Sequence, residues 1–372
     1  MVWGRPDPPP WRQDHGGNVW DAPHRDGRAV LDFSASVNPL GPPPGLLEHL
    51  QSRWPWIVHY PDRRAREFVA AAARRYGLPA EAVLAGHGSA ELIDLALRAL
   101  RPGRVILCPP DFGLYERCVP QGVPVLRIPR STREGFAPDL QAVGRAVRAG
   151  DLVILSNPSN PAGTATAAED LLETAHRCAR AGAVLVVDEA FADFCPEVSL
   201  LPRAGREPAL VVLRSLTKFY GVPGIRIGFA AGAPGLVERM SAAQVPWSVG
   251  TLDQAAGAYC MDLERWDAQT LAFVTRAREE LQEDLQALPG VSVVPGARAN
   301  YLLVRLDPPA PGATGVYEFL AARGILVRHC GSFGLGERYV RVAVRRPHEN
   351  QRLLQALGFL LRRKPDPGME RA

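Results

Sequence analysis

The sequence predicts an α/β protein, with a large, mostly parallel-sheet domain followed by a smaller α+β domain. Two observations carry the prediction. Short unbroken apolar runs alternate with stretches of helical periodicity between residues 84 and 229, and polar residues suited to chemistry stand where several of those runs end. A strand covered on both faces has no solvent side to mark with polar residues, so it reads as a continuous apolar run. Runs of this kind occupy 105–108, 152–155, 184–187 and 210–213, and further strands are expected over 123–128 and 225–229, each interrupted by an arginine.

The elements follow in order. Residues 1–45 are rich in proline and glycine and lack periodicity, which predicts an extended arm packing with the small domain rather than a packed element of its own. Ala65, Phe68, Val69, Ala72 and Tyr76 fall at helical spacing over 62–76, and Leu92, Leu95 and Ala99 do so over 89–100. A glycine turn, Gly86-His87-Gly88-Ser89, opens the second of these helices. Another helix is expected over 168–180 and a long amphipathic stretch over 252–288. Strands at 301–306, 325–328 and 339–344 and a helix over 347–361 complete the chain. The expected domains are 46–255, large, and 256–372, small; a chain of 372 residues exceeds the roughly 250–300 at which single cores stop growing.

Composition excludes several classes. Hydrophobic residues make up 47% and charged residues 22%, and no apolar run nears the roughly 20 residues that span a bilayer. A net charge of +4 with scattered arginines gives no nucleic-acid footprint. The N-terminus lacks the apolar core of an export signal, which predicts a cytoplasmic protein. Six separated cysteines without metal-ligand spacing read as buried thiols, and no metal site is expected.

In open α/β sheets ligands sit at the carboxyl ends of strands. Here those ends carry Pro110-Asp111-Phe112, Asn157-Pro158-Ser159-Asn160, Asp188-Glu189-Ala190-Phe191 and Ser215-Leu216-Thr217-Lys218, with Arg226 eight residues past the lysine. A loop lysine flanked by hydroxyls, with an anion-binding arginine nearby, suits a phosphorylated aldehyde held as a Schiff base, which points to pyridoxal 5'-phosphate. Backbone N–H groups at Gly88, Ser89 and Ala90 open a helix and suit its phosphate.

Together these motifs resemble the fold-type I pyridoxal-phosphate enzymes of the aspartate aminotransferase superfamily, in the histidinol-phosphate aminotransferase-like branch. The resemblance runs through nearly the whole chain. It implies that Lys218 is the Schiff-base lysine, that Asp188 pairs with the ring nitrogen and that Asn160 contacts the O3' oxygen. It further implies that Phe112 stacks on the ring, that Gly88, Ser89, Ala90, Ser215, Thr217 and Arg226 hold the phosphate, and that Tyr60 reaches in from a second subunit of a homodimer with a shared active site. Within the branch, three segments resemble the threonine-phosphate decarboxylases, which serve cobalamin biosynthesis: His15-Gly16-Gly17-Asn18; residues 32–41, with Asn38 a substrate contact; and 214–220 with 245–249. Phe191 stands where aminotransferases of the branch carry a tyrosine. Arg341 matches the arginine that holds a substrate α-carboxylate. A phosphorylated amino-acid substrate needs a second anion site, for which Arg328, His15 and Arg345 are the candidates. The competing readings are an aminotransferase acting on histidinol phosphate and a pyridoxal-phosphate-binding regulator, the latter lacking a segment suited to bind DNA.

Overall fold

The structure, a computed structural model, describes residues 15–20 and 30–362. Strand β1 (Leu31–Asp32) comes first, followed by the strands of the large sheet: β2 (Val83–Gly86), β3 (Arg104–Leu107), β4 (Val125–Arg127), β5 (Asp151–Ser156), β6 (Val184–Asp188), β7 (Leu210–Ser215) and β8 (Gly228–Gly232). The smaller sheet and its edge contain β9 (Val291–Val293), β10 (Tyr301–Leu306), β11 (Ile325–Leu326), β12 (Arg328–His329) and β13 (Tyr339–Ala343).

The large sheet has the order β2-β8-β7-β6-β5-β3-β4. Strands β4, β3, β5, β6 and β7 are parallel, and β8 runs antiparallel between β7 and β2. Its apolar runs are explained by cover on both faces. Val153, Leu155, Val187 and Val212 join one core with the helices Arg66–Tyr76 and Ala168–Ala181. The alternating residues Leu152, Ile154, Val186 and Val211 join another with the helices Gly88–Leu100 and Pro234–Ala243.

Four differences from the expectations have physical causes. The last large-sheet strand begins at Gly228 rather than 225, because Arg226 belongs to the preceding loop, where its N–H donates to Asp253. Gly228 also packs so tightly that a Cβ there would lie 2.4 Å from the Arg214 carbonyl oxygen. The stretch 252–288 is two helices, Thr251–Cys260 and Glu264–Gln286, and the expected boundary after 255 falls within the first. Ala256, Ala258 and Cys260 pack in the large core; Val274 joins them, whereas Ala277, Leu281 and Leu285 of the same second helix pack in the small core. The helix Glu264–Gln286 therefore contributes to both cores.

The expected strand 325–328 splits: β11 pairs parallel with β1, and β12 pairs antiparallel with β13. Of the arm, residues 1–14 and 21–29 lie outside the described residues. Past residue 30 it is packed, since the alternation Leu31-Asp32-Phe33 puts two apolar side chains into the small-domain core. The small sheet, β12-β13-β10-β9, carries the helices Ala313–Ala321 and Pro347–Arg362. Among the described residues no helix is long and apolar enough to cross a membrane, and no group of His, Cys, Asp or Glu is arranged to hold a metal ion.

Candidate active site

A cleft at the carboxyl ends of β5, β6 and β7 collects Ser89, Ala90, Phe112, Asn160, Asp188, Ser215, Thr217, Lys218, Arg226, Arg328, Arg341 and His15. One end is an anion cradle. The helix Gly88–Leu100 begins there, leaving the N–H groups of its first turn without helical partners and presenting its positive pole. Gly88 has φ +75, and a Cβ on it would stand 2.6 Å from the Arg226 guanidinium. Glycine thus lets that guanidinium close over the helix start. Ser215 and Thr217 hydroxyls, 2.8 Å apart, complete the cradle.

The floor is Asp188, the last residue of β6. Burial pushes its carboxyl up to about 6, although Tyr115 Oη–H donates to Oδ2 at 2.7 Å and Ala190 N–H to Oδ1 at 3.0 Å, both favouring the anion. Asn160 is set by a relay behind it. Arg130 pairs with Asp111 at 2.9 Å, Asp111 accepts from Ser156 Oγ at 2.5 Å, and Ser156 Oγ accepts from the Asn160 N–H at 3.1 Å. Asn160 Oδ1 accepts from Arg341 at 2.5 Å, which leaves its amide N–H groups to donate into the cleft.

Lys218 sits on the short helix Leu216–Phe219 directly after β7. Burial first, and then the positive charges of Arg341 and Arg226, bring its ammonium down to about 8. Arg341, on β13, is buried; it donates to Asn160 and to the Ser34 carbonyl at 3.0 Å, lies 4.8 Å over the Tyr301 ring and keeps an Nε–H with no partner. Desolvation lowers its pKa, which marks a cation held without a carboxylate among the described residues. Arg328 on β12 donates to Ser332 Oγ at 2.5 Å, with its guanidinium over Phe333. His15 stands edge-on to Phe112, with ring centroids 4.9 Å apart.

Three candidate site residues lie outside the cleft of this chain. Asn38 does not line the cleft: its Nδ2 donates to the Phe219 carbonyl and Thr270 Oγ1, its Oδ1 accepts from Leu40 N–H, and its own N–H donates to the Lys218 carbonyl. The polar atoms of that side chain are thus engaged by the Lys218 turn, by Thr270 on the helix Glu264–Gln286 and by Leu40, and none of them faces the cleft. Tyr60 is 82% exposed against Trp247, outside the cleft of its own chain. Arg345 pairs with Glu349 at 2.8 Å and does not line the cleft. Sequence reasoning missed Tyr115, Ser34, Ser36 and Tyr301; Tyr115 lies three residues beyond Phe112 on a short helical turn, the one local signal that both face the same way. Phe191 lines the cleft with its ring edge-on to Tyr301.

The donor set fits pyridoxal phosphate: an anion cradle, a carboxylate, an amide donor and an amine of lowered pKa meet in one cleft, with a buried Ser36 hydroxyl lacking a partner beside them. The chain matches the model of aminotransferase class I and II over residues 28–357. It is 35% identical to the threonine-phosphate decarboxylase of Salmonella typhimurium, covering 93% of this chain and 96% of that one. It is also 35% identical to a histidinol-phosphate aminotransferase of Roseiflexus castenholzii, covering 88% and 89%. The solved L-threonine-O-3-phosphate decarboxylase from Porphyromonas gingivalis superposes with TM-score 0.80 at 25% identity, covering 90% of this chain and all of that one. The chain belongs to the class I and II aminotransferase family and is a fold-type I, pyridoxal-phosphate-dependent enzyme.

Proposed function

We propose that the enzyme decarboxylates L-threonine O-3-phosphate to (R)-1-amino-2-propanol O-2-phosphate and carbon dioxide, a step that serves cobalamin biosynthesis. The observation that carries this reading is the pair Arg328 and Arg341, both buried, both lining the cleft and directly opposite each other on β12 and β13. Two buried arginines lining one cleft suit a ligand with two anionic groups, here a carboxylate and a phosphate. Histidinol phosphate carries only the phosphate, although the 2-oxoglutarate of that reaction is also a dianion, so the pair accommodates both readings and Phe191 separates them. The resemblance to a 35% identical relative named threonine-phosphate decarboxylase supports the same reading.

Pyridoxal phosphate supplies an electron sink for the pair released when the bond to the carboxylate breaks. The chain supplies the rest. Arg341 grips the carboxylate and fixes which Cα bond faces the sink, while Arg328 and His15 take the phosphate at the other end. Asp188 holds a proton at the cofactor's ring nitrogen, and Asn160 donates to its O3' oxygen. Lys218 Nζ, with a pKa near 8, exchanges its proton readily near neutrality and returns one to Cα. A guanidinium on the carboxylate also stabilises the ground state, so orientation must supply more than that grip costs.

The second reading is histidinol-phosphate aminotransfer, favoured by the equally identical relative of that name. Phe191 weighs against it, since it offers no hydroxyl to O3'. Exposed Tyr60, Trp247, Trp54 and Trp56 support a homodimer in which Tyr60 enters the partner's cleft. Six free cysteines, five of them buried, support a reducing, cytoplasmic setting. Release of carbon dioxide from L-threonine O-3-phosphate by the purified, cofactor-loaded enzyme tests the assignment.

A further inference from the structure

We propose that Tyr115 is a positioning residue that keeps Asp188 ionised and turned toward the cofactor's ring nitrogen, so that the proton between them stays on the nitrogen. The inference rests on the cofactor and not on the choice of substrate.

The geometry is specific. Tyr115 is 1% exposed, sits on the helical turn Leu114–Arg117 and packs edge-on against Phe112, with ring centroids 5.6 Å apart at 88°. Its hydroxyl meets Asp188 Oδ2 at 2.7 Å while Ala190 N–H takes Oδ1 at 3.0 Å, so each carboxylate oxygen has one donor and cannot rotate without losing both. The other charged groups facing Asp188 are Lys218 and Asp111, the latter neutralised by Arg130 at 2.9 Å. Burial, then the nearby Asp188 and Asp111 charges, push the phenol's ionisation far up, so the hydroxyl stays a donor across the working pH range.

A carboxylate that receives a strong hydrogen bond is a weaker base. Without the hydroxyl, buried Asp188 gains basicity and draws the shared proton away from the ring nitrogen. The nitrogen then loses the charge that makes the ring an electron sink.

The test uses the full chain loaded with pyridoxal phosphate carrying ¹⁵N in the ring, without substrate, read by NMR across a pH series. The wild-type nitrogen gives the protonated signal at neutral pH. In Tyr115→Phe it moves toward the unprotonated position. A monofluorotyrosine at 115, nearly isosteric and a stronger donor, keeps it protonated to higher pH than the wild type. Tyr115→Phe also weakens cofactor binding, because Asp188 loses the donor that holds it ready for the ring nitrogen. That loss disappears in an Asp188→Asn background, where a merely structural contribution would persist. Should Tyr115→Phe fail to fold, the fluorotyrosine enzyme carries the test alone. An unchanged nitrogen signal in whichever variants fold, or a full additive loss beside Asp188→Asn, overturns the proposal. Because no substrate is present, its failure is distinct from that of the decarboxylase reading.

Discussion

Arg328 and Arg341 are cross-strand partners, with their Cα atoms in register between β12 and β13 and both side chains buried at one wall of the cleft. Directly opposed residues of an antiparallel pair project to the same side, and like charges there repel. Arg341's hydrogen-bond partners are neutral: Asn160 Oδ1 and the Ser34 carbonyl. A dianionic ligand relieves that repulsion. Replacing Arg341 by lysine keeps the charge but loses the bidentate fork, so kcat/KM falls roughly 10- to 150-fold while the cofactor's absorbance is unchanged. Arg328→Gln raises KM for phosphorylated substrate and narrows its advantage over the unphosphorylated amino acid. Steady-state kinetics on both substrates check this.

Loading of the apoenzyme reads the lysine directly. Only the neutral amine adds to an aldehyde, and the folded pKa of Lys218 lies near 8, below the ordinary lysine value of about 10.4. The loading rate therefore rises about tenfold per pH unit below 8 and levels above it. Stopped-flow absorbance from pH 6 to 10 locates the bend. A rate still climbing at pH 10 contradicts the lowered pKa.

Gly88 is the test of the anion cradle. Alanine there would meet the Arg226 guanidinium at 2.6 Å and hold φ +75, a region that costs a non-glycine residue about 1–2 kcal/mol. Gly88→Ala should weaken cofactor binding by roughly tenfold or more, measured by equilibrium titration, with the apoenzyme fold intact by circular dichroism.

Stability rests partly on a buried charge cluster behind the site. Arg214 lies 3.3 Å from Glu189 and 2.9 Å from Asp193, and it donates to Ser199 Oγ at 3.0 Å. It ties the residue before Ser215 to the residue after Asp188, locking two strand ends together. Arg214→Ala strands Glu189, which is fully buried, and should cost about 3–5 kcal/mol. Denaturant unfolding of the apoenzyme measures it.

Strand-end chemistry was legible because buried parallel strands announce themselves as unbroken apolar runs, so the residue that follows each one lies at the cleft by topology alone. The place of Asp188, Asn160 and Lys218 in the cleft was legible in that way. Asn38 shows the limit: its place in a motif near the site says nothing about which way an amide points, and here it faces the Lys218 turn and Thr270. Tyr115 was invisible for a related reason, since its partner is 73 residues away and joins it only through the β3–β5–β6 order of the sheet. The start of β8 was misplaced because small residues, Gly-Phe-Ala-Ala-Gly, fill a crowded strand that apolar patterning does not mark.

The assignment is tested most directly by giving the loaded enzyme L-threonine O-3-phosphate in one vessel and histidinol phosphate with 2-oxoglutarate in another, and following carbon dioxide and glutamate. The decarboxylase reading predicts stoichiometric carbon dioxide from the first and negligible glutamate from the second. Glutamate formation without release of carbon dioxide would contradict it.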